Sequence, residues 1–169
     1  MHSKNKIEWC LKKAEKELSK GSRHRGLIPK KADIGLARAH INKAEHNLKA
    51  ISEFKRIGYS DWSASAAFYS IYHCFLAILS RHGFESRNQE CTFALIHEMI
   101  ESGKIDLDKE IVEKIASLNL EEEHESKNIS QVREIEQYGI SLSLENETFE
   151  RLLKMAKIIL DKTKEIIES

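Results

Sequence analysis

The segment SAAFYSIYHCFLAIL, residues 65–79, places one histidine inside the most apolar stretch of the chain. Laid on a helix, Ser63, Ala66, Ser70, His73, Ala77 and Ser80 share one narrow face, each three or four positions from the next. Ser70 and His73 are one turn apart, close enough to exchange a hydrogen bond. Such a bond would offset the ~1–3 kcal/mol cost of an unsatisfied buried polar atom. Two readings of His73 stand open. It is a core histidine held by a hydroxyl and a backbone carbonyl, or it lines a ligand site, where an imidazole titrating near pH 6.5 can serve as acid or base. What packs on the small polar face decides between them: a neighbouring helix, a symmetry-related copy or a ligand.

Other chemistry-bearing groups are fewer. KGSRHRGLIPKK, residues 20–31, clusters Lys20, Arg23, Arg25, Lys30 and Lys31 around glycines and a proline. It is suited to holding phosphates without reading sequence, or to being a solvated inter-helix loop. Arg23, Arg25, Lys30 and Lys31 are the candidate auxiliary phosphate contacts. EEEHE, residues 121–125, contains Glu-x-x-His (Glu121, His124), the spacing of carboxylate-bridged metal bundles. It occurs once, and such sites need two, so no metal and no cofactor is expected. Phosphate-loop, dinucleotide-binding, nucleophile-elbow and paired Cys-x-x-Cys signatures are missing from the sequence. Cys10, Cys74 and Cys91 are odd in number and without metal spacing, so they are expected to be reduced, buried thiols.

These groups must be positioned by helices. The chain has 169 residues, 32% of them charged, with one proline and seven glycines. That composition predicts an all-α, antiparallel up-and-down bundle of five to seven helices. Apolar periodicity predicts helices over residues 4–19, 33–58 (Asp33 as cap, Gly58 as stop), 60–82 (Ser60 or Asp61 as cap, Gly83 as stop) and 88–102. A fifth begins at Asp106 or Asp108. A shorter piece carries Ile129, Val132 and Ile135 and ends at Gly139, and a final helix is capped by Ser143. Strand signals are almost absent. The apolar run 66–79 falls short of the roughly 20 residues that span a bilayer, and the first residues have no signal-peptide pattern, so a cytoplasmic protein without membrane contact is expected. Charge is asymmetric: residues 1–60 carry 15 Lys and Arg against 6 Asp and Glu, the remainder 12 against 21.

ARAHINKAEHNL (37–48), RIGYSDWSASAAFYSIYHCFLAIL (56–79), RHGFE (81–85) and VREIEQYG (132–139), followed by a long amphipathic helix, together resemble the HEPN (higher eukaryotes and prokaryotes nucleotide-binding) family. The resemblance covers residues 37–167. Phe68, Tyr69, Ser70, Ile71, Tyr72 and His73 are similar to the family's Tyr-Tyr-x-x-His pattern. It implies a helical bundle that forms a homodimer, works with nucleotidyltransferase partners or acts as a ribonuclease toxin. The ribonuclease branch carries Arg, four to six residues, then His. Here Arg133 matches the arginine, but Tyr138 stands after four residues; aligning Tyr138 with a tyrosine after that histidine puts Glu136 in its place. Ala66 replaces a further family arginine.

The resemblance therefore implies binding of RNA or a nucleotide, in a toxin–antitoxin type of component with a degenerate ribonuclease motif, rather than cleavage. Arg133 would bind phosphate bidentately or pair with Glu136, and Tyr138 would donate a hydrogen bond or stack on a base. The candidate ligand-binding set is Arg133, Tyr138, His73, Ser70 and Tyr69. The alternative is a helical dimerisation or interaction module without catalysis. The expected organisation is an amino-terminal helix and basic loop (1–31) beside a HEPN-like bundle (32–169), one compact domain overall.

Overall fold

The computed structural model describes residues 2–116 and 141–169. Among the described residues there are six α-helices: α1 (His2–Ser19), α2 (Ile34–Arg56), α3 (Ser63–Arg81), α4 (Gln89–Glu101), α5 (Lys109–Ala116) and α6 (Asn146–Glu168). The protein is an all-α bundle, as its composition predicts. Arg133, Tyr138, Glu121 and His124 lie outside the described residues.

α3 is apolar nearly all round because it is the central helix, packed on α2, α6 and α4. Phe68, Ile71, Cys74, Phe75 and Ile78 are sealed. Counted from Ser60, this helix is long and apolar enough to cross a bilayer, longer than the sequence reading allowed. Its apolarity serves the core instead, since 72% of its apolar 18-residue window is buried inside the bundle.

α2 and α3 run antiparallel in a close register. Ser63 Oγ donates to the Ile51 carbonyl at 2.7 Å and Ser70 Oγ to the Ala44 carbonyl at 2.8 Å, while the Asp33 amide donates to the Ser80 carbonyl at 2.9 Å. Small Ala37 and Ala44 on α2 let the backbones approach closely enough for a serine to reach across. The neighbouring helix is thus what packs on the small polar face of α3. α6 closes the core, antiparallel to α2: Arg38 pairs with Glu168 at 3.0 Å, Lys164 with Glu45, and Lys55 lies over the Phe149 ring at 4.2 Å.

Caps follow chain chemistry at α2, α4 and α5, where Asp33, Asn88 and Asp108 accept from the first-turn amides of Leu36, Cys91 and Glu110. Two expected caps are corrected. Residues 60–62 form a 3-10 turn, and Ser60 Oγ accepts from the Leu144 amide at 2.8 Å rather than capping α3. α6 starts at Asn146 behind Glu145 with no side-chain cap, so Ser143 lies short of the helix.

The basic loop is also more than a loop. β1 (Leu27–Pro29) pairs antiparallel with β2 (Phe84–Ser86), Ile28 opposite Glu85. A Cβ at Gly26 would stand 2.3 Å from the Cys10 carbonyl, and one at Gly83, where φ is +81°, 2.7 Å from the Lys30 carbonyl. Only glycine permits these approaches.

The expectation of reduced cysteines is overturned for two of them. Cys10 of α1 and Cys91 of α4 form a disulfide, and Cys74 alone is free and buried. Their spacing of 81 residues hid the pair, which appears only when α1 docks antiparallel on α4, flanked by the Lys6–Glu90 ion pair. Closing so long a loop restricts the unfolded chain, a stabilisation of about 2–4 kcal/mol. Cys10→Ser, or reduction under denaturant, is expected to lower unfolding free energy by about that amount; equal denaturant midpoints with and without reductant would show that the bond carries no stability.

Candidate functional site

The α2–α3 register brings His40 opposite His73. Their Nδ1 atoms are 3.0 Å apart, with ring centroids at 5.3 Å. One ring donates its Nδ1–H to the bare Nδ1 of the other, so the expected Ser70–His73 bond does not form: Ser70 is committed to Ala44, and His73 to His40. Both imidazoles are half-buried, not sealed among aliphatic chains. With the Nδ1 atoms paired, the tautomers leave one bare Nε2 and one Nε2–H, an acceptor on one ring and a donor on the other.

Electrostatics keep the pair neutral. Burial lowers the His73 imidazole to about 4, helped by the neighbouring His40 and by the Lys43 ammonium. Burial also lowers His40. At neutral pH His73 is therefore a proton acceptor or a hydrogen-bonding group, not a cation. The positive charge at this seam is Lys43, exposed one turn along α2 from His40.

Aromatic side chains frame the pair. Tyr69 is 46% exposed, its ring edge-on to buried Phe68 at 5.4 Å. Tyr72 turns inward, stacked on Phe68 at 6.1 Å and 6.4 Å from Phe93, and its hydroxyl meets Thr92 Oγ1 at 3.4 Å. Burial raises the Tyr72 phenol. Of the two tyrosines in the FYSIYH stretch, Tyr69 is the one open to a ligand and Tyr72 is core.

Of the expected ligand-binding set, the structure brings His73 and Tyr69 to one seam and places Ser70 beneath it as a packing hydroxyl. Arg133 and Tyr138 lie outside the described residues. His40 was missed in the sequence. The signal was available in ARAHINKAEHNL, where His40 sits on the edge of the row that buries Ala37 and Ala44, but it means nothing until α3 supplies the partner.

The basic loop stands apart, with its groups differently engaged. Lys30 Nζ pairs with Glu85 Oε2, Arg87 Nε approaches Glu85 Oε1 at 2.9 Å, and buried His24 Nε2 meets the same Oε1 at 2.8 Å. Burial works to raise the Glu85 carboxyl, but hydrogen bonds from Lys30 and His24 and the Arg87 charge overcome it and hold it at about 2. Lys30 thus clamps β1 to β2. Arg23, Arg25 and Lys31 are exposed. No group of three metal-ligating side chains occurs among the described residues.

A family model of the HEPN domain matches residues 37–166, a span that contains most of α2, the histidine pair and most of α6. No curated protein matches the sequence.

The lowered imidazoles make stability depend on pH. From pH 6.5 down to about 4 the unfolded His73 takes up a proton that the folded one refuses. The contribution is complete above 6.5 and lost as pH falls through that window; solvent screening of half-exposed rings holds it to about 1 kcal/mol. The carboxylates lowered in the fold lose their contribution only at lower pH, below their ordinary value of 4.5. Urea unfolding at pH 7 and pH 5 is expected to show a loss in the wild type that shrinks in His73→Phe; the same loss in both would place the titration elsewhere.

Proposed function

We propose, because this chain belongs to the HEPN family, that it binds RNA or a nucleotide at the α2–α3 seam without cleaving it. The observation that carries this reading is the half-exposed His40–His73 pair. It offers one acceptor and one donor Nε2 to a base edge or sugar hydroxyl, beside an exposed Tyr69 on which a base can stack and a Lys43 ammonium for a phosphate. Arg133 and Tyr138 would complete the site with a guanidinium and a phenol.

The missing histidine of the ribonuclease motif weighs against cleavage. A neutral His73 could take a proton, but cleavage also needs a second group to protonate the leaving oxygen, and Tyr138 stands where the motif places a histidine for such work. The reading is of a toxin–antitoxin type of component with a degenerate motif, working in the cytoplasm and paired with a nucleotidyltransferase-type protein. There the Cys10–Cys91 bond would persist because both cysteines are fully buried from attacking thiolates.

A second reading rests on a different feature of the same helix. Trp62, Ala66, Tyr69, His73 and Leu76 follow one another at alternating spacings of four and three along α3, and Trp62 and Tyr69 are close to half exposed. Such a row suits a homodimer contact in an interaction module without catalysis.

Equilibrium binding of ATP and of a short single-stranded RNA separates the two. Stacking on an aromatic is worth ~1–3 kcal/mol per base, so Tyr69→Ala is expected to weaken RNA binding at least about fivefold, with Arg133→Ala weakening it and flattening its salt dependence. Incubation with mixed RNA, with and without chelator, is expected to leave the RNA intact. Unchanged affinity in both variants, with loss of the dimer in Tyr69→Ala, would establish the interaction module instead.

A further inference from the structure

The HEPN match begins at residue 37 and leaves α1 unexplained. α1 does more than cover the core. Its outer face forms a groove of about 460 Å³ lined by Trp9, Lys12, Lys13, Lys16, Glu17 and Lys20. Trp9 is 47% exposed, an unusual placement for the largest apolar side chain on a helix whose buried side is supplied by Cys10 and Ala14.

The lysines of this helix, with Lys20 one residue past its end, divide into two groups. Lys4, Lys6 and Lys13 are engaged with Glu98, Glu90 and Glu17. Lys12, Lys16 and Lys20 have no carboxylate in ion-pair range among the described residues, and all are exposed. They are the ones that stand in a single row, i, i+4 and i+8. Successive ammonium groups in such a row rise about 6 Å along the helix, a step comparable to that between neighbouring phosphates of an extended single strand. Glu17, the one carboxylate lining the groove, is ion-paired with Lys13 at 2.6 Å and accepts a hydrogen bond from the Arg25 amide at 2.5 Å. That second bond fixes the backbone of the basic loop at the end of α1, where Arg23 and Arg25 are exposed.

We infer that α1 and the following loop form a second surface, separate from the α2–α3 seam, that tracks the backbone of a single-stranded nucleic acid, with Trp9 stacking on one base. Lys6 Nζ lies 4.3 Å and Lys13 Nζ 5.8 Å from the Trp9 ring centre. Both ammonium groups are held by Glu90 and Glu17, and the indole is still 47% exposed, so a base stacks on the part of the ring they leave open. An acidic peptide would use the lysines but gain nothing from the indole, which is why a polynucleotide is favoured. The inference does not depend on the seam binding anything.

The test uses the full chain and a 12-nucleotide oligouridylate followed by fluorescence anisotropy over a range of salt. Changing Lys12, Lys16 and Lys20 together to Ala keeps α1, since alanine is the better helix former. This variant is expected to lose at least tenfold in affinity at low salt and about 2 in the slope of log K against log salt, at roughly 0.7 per phosphate contact. A control changing the exposed Lys49, Lys154 and Lys157 to Ala is expected to keep both. In Trp62→Phe, whose remaining indole is Trp9, the oligonucleotide is expected to quench the fluorescence. An unchanged slope, an equal loss in the control, an unquenched Trp9, or competition by polyglutamate equal to RNA at matched charge would each overturn the inference. Tyr69→Ala, measured alongside, tells failure of this surface from failure of the seam: only the seam responds to it.

Discussion

The closeness of α2 and α3 is the constraint on which the rest of the structure depends. Two serines of α3 reach across to backbone carbonyls of α2, a close approach that the small Ala37 and Ala44 of α2 and the serines themselves allow. Each carbonyl already serves its own helix and uses its second lone pair for the serine, so the bonds satisfy buried hydroxyls without unwinding either helix. Because each pair fixes the same register, the helices cannot slide by a turn without losing every such contact at once.

That register creates the histidine pair. An imidazole half out of water is costly when charged, and a second imidazole 3.0 Å away satisfies it while neutral. The seam thus holds its own polar groups together and still offers two ring nitrogens outward. His73 is therefore neither sealed in the core nor held by Ser70: it stands half-buried at the seam, paired with a second imidazole.

The amino-terminal part is held by other means. α1 is tied to α4 by the disulfide, while the basic loop is stitched to the α3–α4 connection by the β1–β2 pair and by the Glu85 cluster. These are contacts between distant parts of the chain, and none has a local signature. Glu85 reads as an ordinary loop carboxylate until His24, Lys30 and Arg87 surround it. Cys10 and Cys91 read as isolated thiols until two helices meet. Ser60 reads as a cap until the segment before α6 arrives to donate to it.

Sequence alone determined the helical class, the stops at Gly58 and Gly83, and the cap at Asp33. Each of these is set by backbone conformation or apolar periodicity within a few residues. Tertiary structure decided which histidine faces His73, which cysteines bond, which tyrosine remains open and which lysines stay unpaired. Those outcomes depend on how two helices are rotated and registered against each other, a property that belongs to the pair and is written in neither helix by itself.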